Sequence, residues 1–324
     1  MKVDVAPIYF KDFEATRGTG LCNPSVLFDS DGTLRINIRH VEYTLYYSQT
    51  YQSCGEGPLS YYHGDNDMNL RTNNYMGTLD KDTLELMSWK KLDTSTHDVK
   101  PLWSFIGLED ARMVRWDNRL FLIGVRRDTT PNGVGRMEFS EIEDGREINR
   151  YRIECPDPTS YCEKNWMPVL DKPYHFVKWS NPVEVVQTDL ETCTSKTVYT
   201  HPQIPNFCYD LRGGTPLVRW DDDTYISIVH ECEFTPYNHL GHKDGSYYHR
   251  FIFWKSSDFS IQTISERFKF MNMAIEFCIG MDMKDDTVVI AYACEDNASY
   301  ALKIPKNDLG DIIWTQLGCV YRKL

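Results

Sequence analysis

The sequence predicts an all-β fold, a single five-bladed β-propeller over residues 1–324. Three observations support this fold class. Short apolar runs, rich in β-branched and aromatic residues, alternate with Asp, Gly and Asn turns. A unit of polar start, apolar strand, turn and second strand recurs five times. One or two more strand-like stretches follow each unit, which gives about four strands per repeat, as in a propeller blade.

The five units are predicted to begin near residues 23, 109, 164, 212 and 276. Their first strands cover residues 23–28, 109–114, 164–170, 212–218 and 276–283. Their second strands cover 34–39, 120–126, 174–179, 225–230 and 288–292. One blade alone cannot bury both faces of its sheet, whereas a closed ring of blades can. This explains the lack of an evident domain boundary, and the regular repeat favours a propeller over a β-sandwich or an irregular β domain.

Composition limits the classes of partner. The chain has 324 residues, 41% of them hydrophobic, and a net charge of −12 with a pI near 5.2. An acidic protein is a poor partner for nucleic acid or an anionic membrane, so neither is expected. The first ten residues carry no apolar signal region, and no apolar run is long enough to cross a membrane. Ten cysteines without CxxC pairs predict reduced thiols and a cytoplasmic location.

Polar residues stand at the start of each first strand and at the end of each second strand. In a propeller the first strand of each blade lines the central channel, so these side chains are expected to share one pocket. The set comprises Asn23, Arg39, His40, Glu109, Asp110, Arg112, Arg126, Arg127, Lys164, Asn165, Trp179, Arg212, Thr215, His230, Glu231, Glu276, Glu295 and Asp296. The alternative is that they form structural ion pairs between blades.

The predicted pocket combines carboxylates with cations. Adjacent strand residues point to opposite faces, so only one of Glu109 and Asp110 is expected to face the pocket. Which of the two faces the pocket stays open at this point, and Arg112 lies on the same face of the strand as Asp110. The remaining cations suit an oxyanion such as phosphate. Together with stacking by Trp103, Trp166 and Trp179, the set indicates glycosyl transfer with phosphate as nucleophile or leaving group.

Three stretches resemble motifs of glycoside hydrolase family 130, the β-mannoside phosphorylases and β-1,2-mannosidases, and of the related β-mannosyltransferase/phosphorylases. Residues 107–112 (GLEDAR) are similar to the family's Glu-Asp-Pro-Arg motif, and residues 163–168 (EKNWMP) to its Lys-Asn-Trp-x-Pro stretch. Residues 211–216 (LRGGTP) occupy the place of a later blade motif. Ala111 stands where the family has Pro, and residues 294–297 (CEDN) also depart from the phosphorylases, which marks a divergent member.

The resemblance implies roles for individual residues. Asp110 would donate the proton, relayed through a sugar hydroxyl with inversion at the anomeric carbon. Phosphate would be bound by Arg112, Arg127, Lys164 and His230. Substrate would be bound by Asn23, Arg39 and Asp296, and we add Asn165, Arg212 and Glu295 to this group. No cofactor is expected beyond inorganic phosphate as a co-substrate, and the expected partners are an oligosaccharide or a sugar phosphate, with a homo-oligomer left open.

Two alternatives keep the same fold: an inverting β-mannoside hydrolase that uses water, and a non-catalytic propeller that binds a glycan. A metal site is not expected. His230, Cys232, His239, His242 and His249 lie close in sequence, but their spacing fits no compact zinc pattern.

Overall fold

The computed structural model describes residues 3–10, 20–45, 52–54, 61–63, 69–234 and 245–323. Five antiparallel sheets lie in a ring, which confirms the predicted five-bladed β-propeller. Within this part of the chain, no helix is long and apolar enough to span a membrane.

Each blade runs outwards from the axis as a meander. Blade 1 has Gly20–Phe28, Leu34–Val41, Leu70–Leu79 and Leu86–Lys91, with Phe105–Ile106 parallel to its third strand. Blade 2 has Glu109–Trp116, Arg119–Arg126, Arg136–Glu143 and Arg146–Arg152. Blade 3 has Met167–Pro168, His175–Ser180, Val183–Asp189 and Thr194–His201. Blade 4 has Val218–Arg219, Thr224–Phe234, Gly245–Lys255 and Ile261–Ser265. Blade 5 has Glu276–Lys284, Thr287–Cys294 and Ala298–Pro305. A separate hairpin pairs Gln52–Cys54 with Tyr61–His63.

Strands distant in sequence complete two of the blades. Asp4–Pro7 pairs antiparallel with Ala298–Pro305 and forms the outer strand of blade 5, which ties the beginning of the described chain to its last blade. Cys319–Arg322 adds a fifth strand to blade 4. An α-helix, Lys306–Asp311, and a π-helix, Ile312–Leu317, connect the two blades. The ring therefore closes through hydrogen-bonded strands as well as through side-chain packing.

The hydrophobic core lies between neighbouring blades. Six clusters of buried side chains occur among the described residues, and five of them join the sheet of one blade to that of the next. Strand alternation produces this arrangement: in blade 4, Tyr225 and Val229 pack towards blade 3, whereas Ile226 and Ile228 pack towards blade 5. Both faces of each sheet are thus covered, as expected for a ring of blades.

The nine cysteines whose side chains the structure describes are free thiols. Cys278 and Cys294 are buried as predicted. Cys208 is exposed in the segment between blades 3 and 4, and Cys232 is half-buried near the end of the strand Thr224–Phe234.

Candidate active site

One cavity at the axis receives side chains from all five blades. It encloses about 110 Å³. Its wall is formed by Asn23, Arg39, Tyr43, Tyr61, Phe105, Glu109, Asp110, Lys164, Asn165, Arg212, His230, Tyr247, Ile275, Phe277 and Asp296. Eight of the eleven residues with a predicted role meet there, namely Asn23, Arg39, Asp110, Lys164, Asn165, Arg212, His230 and Asp296.

Three blades present an Asn or Asp to the cavity by the same backbone device. Asn23, Asp110 and Asn165 have φ angles of 48°, 52° and 60°, in the left-handed region that Asn and Asp tolerate best among residues other than glycine. In blades 1 and 2 this residue lies in a bulge, where the pairing register shifts. The bulge interrupts the alternation of side chains, so Glu109 and Asp110 both line the cavity. The prediction that only one of them faces it was wrong for this reason.

Asp110 is held by two donors. Its Oδ1 accepts hydrogen bonds from Asn23 Nδ2 at 2.7 Å and from Arg39 Nη1 at 2.9 Å. Arg39 is itself positioned by donating from Nε to Thr72 Oγ1 at 3.1 Å, and its Nη2 lies 3.7 Å from Glu109 Oε2. The arrangement fixes the carboxylate of Asp110 and leaves Glu109 with a weaker ion pair.

The three cavity carboxyls differ in their acidity. Burial alone would raise the pKa of Asp110, but Arg39, Lys164 and Arg112 outweigh it, and the net pKa is lowered. Burial dominates at Glu109 and at Asp296, so the pKa of each is raised despite Arg39. Asp110 is therefore ionised at neutral pH in the free site. The predicted role of Asp110 as a proton donor requires the protonated carboxyl.

The opposite side of the cavity is cationic. Within the described residues, the ammonium group of Lys164 has no hydrogen bond or ion pair to a protein group. The guanidinium of Arg212 lies 2.8 Å from Asp210 Oδ2. His230 stacks on Tyr247 with ring centroids 5.5 Å apart, and burial, then His249 and Arg212, lower its pKa. His230 is thus neutral and offers a neutral ring nitrogen rather than a charge.

Arg112 lies beneath the cavity rather than in its wall. The side chain is fully buried. Its Nε and Nη2 donate to the carbonyl oxygen of Gly214 at 3.0 and 2.9 Å, and its Nη1 donates to the carbonyl oxygen of Asp110 at 2.7 Å and to Asn165 Oδ1 at 3.3 Å. Every guanidinium nitrogen has a protein acceptor. The bulge at Asp110 turns Arg112 away from the cavity, so its predicted contact with phosphate does not fit the geometry.

Two other predicted ligands also have different surroundings. Arg127 lies behind Phe105 and donates to the carbonyl oxygen of Gly133 at 3.0 Å and to Tyr161 Oη at 3.0 Å. Glu295 accepts the backbone N–H of Ile275 at 3.0 Å instead of lining the cavity.

Glu276 likewise faces away from the cavity. Its buried carboxylate accepts the N–H groups of Phe270, Met271 and Met273 at 2.6, 2.9 and 2.8 Å. Because strand residues alternate, its neighbours Ile275 and Phe277 face the cavity in its place. The sequence shows this alternation, but it does not show whether Glu276 or its neighbours Ile275 and Phe277 face the cavity.

The aromatic side chains at the cavity are not the predicted tryptophans. Trp166 is buried and donates from Nε1 to Glu163 Oε2 at 2.9 Å, Trp103 packs on Gly133, and Trp179 is exposed away from the cavity wall. The rings that line the cavity are Tyr43, Tyr61, Phe105, Tyr247 and Phe277. Tyr43 lies outside the strands, and Tyr61 and Phe105 lie in strands of three and two residues, which are too short to show an alternating pattern in the sequence.

Metal binding finds no support in the part of the chain that the structure describes, where no group of three His, Cys, Asp or Glu is placed to hold an ion. His239 and His242 lie outside the described residues.

Comparison with known proteins gives one short sequence match and wide structural matches. No family model matches the chain. A stretch of 101 residues is 30% identical to β-mannosyltransferase 1 of Komagataella phaffii. This match covers 28% of the chain and only 14% of that protein.

Solved structures match the chain over most of its length. The β-1,2-mannobiose phosphorylase from Listeria innocua has a TM-score of 0.62 at 11% identity, over 97% of this chain and 99% of that one. A structure from the GH130 family of mannoside phosphorylases and hydrolases has a TM-score of 0.57 at 11% identity, over 89% and 84%. The chain shares its fold with these proteins. The GDP-Man-dependent mannosyltransferase MPT-1 of Leishmania mexicana also has it, with a TM-score of 0.51 at 12% identity over 94% and 90%.

Proposed function

We propose that the chain is a phosphate-dependent enzyme of β-mannosides, an inverting glycoside phosphorylase or a mannosyl-transfer enzyme that uses a sugar 1-phosphate. The observation that carries this proposal is the charge distribution of the cavity. Carboxyls lie on one side, and on the other lies Lys164, a cation with no protein acceptor in the described chain. A site that holds a free cation beside fixed carboxylates suits a substrate with both hydroxyl groups and an oxyanion.

In the proposed reaction the mannosyl unit occupies the cavity between the two sides. A phosphate oxygen, held by Lys164, Arg212 and His230, attacks the anomeric carbon. The bond between that carbon and the glycosidic oxygen breaks, and the oxygen receives a proton from Asp110 through a sugar hydroxyl. The products are a mannose 1-phosphate of inverted configuration and the shortened acceptor.

The lowered pKa of Asp110 couples the acid to the nucleophile. Lys164 is one of the cations that lower this pKa. A phosphate dianion bound to Lys164 cancels part of the positive charge, so phosphate binding raises the pKa of Asp110 and favours its protonated form. Asp110 thus becomes a better acid when the nucleophile is present.

The test uses β-1,2-mannobiose with and without inorganic phosphate, with mannose 1-phosphate as the measured product. Asp110→Asn keeps the shape of the side chain and is expected to lose roughly 10²- to 10⁴-fold in rate. Asp117→Asn is the matched control, because Asp117 also has a left-handed backbone, with φ of 51°, but is exposed in a turn between two strands of blade 2. Phosphate-independent release of mannose would instead indicate a hydrolase. If the wild-type protein forms neither product but binds the sugar, and Asp110→Asn binds it equally well, the protein is a glycan-binding propeller.

The transfer reaction is a second candidate because of the sequence match to a β-mannosyltransferase. It is tested by incubating the protein with mannose as acceptor and either mannose 1-phosphate or GDP-Man as donor. Elongation from mannose 1-phosphate supports a reversible phosphorylase. Elongation from GDP-Man alone would indicate that the leaving group is a nucleoside diphosphate, bound by the same cations, rather than phosphate.

A further inference from the structure

A second polar cavity lies off the axis, between blades 1 and 2, and receives Asn74 from the first of these blades and Ser140 from the second. It encloses about 220 Å³, twice the volume of the axial cavity, and the two cavities share no lining residue. The chain from Phe105 to Glu109 separates them: these two end residues line the axial cavity, whereas residues 106–108 line the second one. We call this second site the interblade cavity.

Two polar side chains at the wall of the interblade cavity are deeply buried and incompletely paired. Asp128 and Ser140 are only 5% and 2% exposed. Asp128 Oδ2 accepts the backbone N–H of Gly107 at 2.9 Å. Its other carboxylate oxygen, Oδ1, and the Ser140 hydroxyl have no hydrogen-bond partner within the residues that the structure describes. Because an unpaired buried polar atom destabilises a fold, two of them at one cavity wall indicate groups whose partner is a ligand.

The charges at this wall favour a ligand that is neutral and rich in hydroxyl groups. Arg126 Nη1 lies 3.5 Å from Asp128 Oδ2, and its Nε lies 2.5 Å from Glu138 Oε1, so the charge of the guanidinium is matched within the fold. An anionic ligand would meet Asp128 and Asp98, and a cationic ligand would meet Arg126. A hydroxyl group can donate to Asp128 Oδ1, and it can either donate to or accept from the hydroxyl of Ser140.

We propose that the interblade cavity binds one sugar ring, a neutral polyhydroxy ligand, at a site separate from the axial cavity. The hydroxyl groups of the ring hydrogen-bond to Asp128 and Ser140. Its C–H groups pack on the apolar part of the wall, to which Leu92, Pro101 and Leu108 contribute. Binding at this site needs no reaction at the axial cavity, so the inference does not rest on the proposed function.

The experiment follows hydrogen–deuterium exchange by mass spectrometry while mannose is added to the wild-type protein, Ser140→Ala and Ser180→Ala. Residues 94–101 report on the interblade cavity, and residues 160–166 report on the axial cavity. Ser140→Ala removes a hydroxyl without a partner in the described chain, so its thermal unfolding is expected to match that of the wild-type protein.

Ser180→Ala is the matched control. Ser180 is 1% exposed, and its hydroxyl also lacks a hydrogen-bond partner among the described residues, but the side chain does not line the interblade cavity. The two variants therefore remove the same kind of buried group, and they differ only in whether that group stands at the proposed site.

Mannose is expected to slow exchange in residues 94–101 of the wild-type protein. The mannose concentration that gives half of this protection is expected to rise roughly 5- to 10-fold in Ser140→Ala, the effect of one lost hydrogen bond, and to stay unchanged in Ser180→Ala. Any protection of residues 160–166 is expected to have the same midpoint in all three proteins. The site is overturned if mannose does not protect residues 94–101, or if the midpoint there is the same in Ser140→Ala as in the wild-type protein. Protection by ethanolamine but not by mannose would overturn the class of ligand.

Discussion

Replacing Arg112 by Met separates a structural role from phosphate binding. Arg112 donates four hydrogen bonds to three acceptors in blades 2, 3 and 4, and burial lowers its pKa to about 10. Methionine retains most of the volume but leaves the carbonyl oxygens of Gly214 and Asp110, and Asn165 Oδ1, unpaired. Each buried acceptor left unpaired costs about 1–3 kcal/mol. Part of that cost is offset because a buried charge is also removed. We therefore expect the free energy of unfolding to fall by about 3–5 kcal/mol.

The assay is denaturant unfolding of Arg112→Met beside Arg115→Met, with phosphate affinity measured in both. Arg115 lies on the same strand, but its side chain is 31% exposed in an ion pair with Asp29, so its loss is expected to cost less than about 1 kcal/mol. Arg112→Lys keeps the charge without the planar fork and is expected to remain destabilised. The structural role would be refuted if Arg112→Met left the free energy of unfolding unchanged but lost phosphate affinity, and if Arg112→Lys restored that affinity.

Three further outcomes are expected. Lys164→Met should weaken phosphate binding by roughly 10- to 100-fold in calorimetry, whereas the exposed Lys196→Met on blade 3 should not; equal effects would exclude a specific anion site. Asp282 is buried, which raises its pKa to about 6. Between pH 4 and 6 the Asp282 carboxyl keeps its proton in the folded protein but loses it in the unfolded chain. The free energy of unfolding therefore falls by about 3 kcal/mol as the pH rises through this range. Asp282→Asn should abolish this dependence on pH. Ala111→Pro should raise the free energy of unfolding by about 0.5–1 kcal/mol, because in blade 1 the equivalent left-handed residue, Asn23, is also followed by a proline. A fall in the free energy of unfolding by more than about 1 kcal/mol would contradict the equivalence of the two bulges.

Most strands could be predicted because each blade repeats the same local signals. The first strands of blades 3 and 4, predicted over 164–170 and 212–218, are in fact only Met167–Pro168 and Val218–Arg219. Apolar runs and Asp or Gly turns mark the beginnings and ends of strands such as Arg119–Arg126 and Thr287–Cys294. The strands that close the ring could not be predicted in this way. Asp4–Pro7 and Cys319–Arg322 are four residues each, and their partners lie far away in sequence or across two short helices. Pairing of that kind is decided by the assembled ring and not by local pattern.

The convergence of polar residues was predictable, but the direction of each side chain was not. Asp110, Lys164 and His230 reach one cavity because every blade begins and turns at the same end of the ring. Arg112 and Glu276 occupy equivalent blade starts, yet they bind backbone groups within the fold. A buried charge lowers its free energy equally well by pairing with substrate or with peptide groups, and residue type does not distinguish the two.

The left-handed residues explain where the alternation argument fails. A strand residue with positive φ interrupts the alternation at the bulge, so that Glu109 and Asp110 both line the cavity and Arg112 does not. The signal for this was present in the sequence, since Asn23, Asp110 and Asn165 stand at equivalent positions in three blades, and Asn and Asp are the residues that accept that backbone most readily. A substitution that tests the catalytic role of Asp110 must therefore keep both the shape of its side chain and its preference for the left-handed backbone. Asn at position 110 satisfies both, whereas Glu would favour a different backbone and confound a chemical loss with a displaced strand.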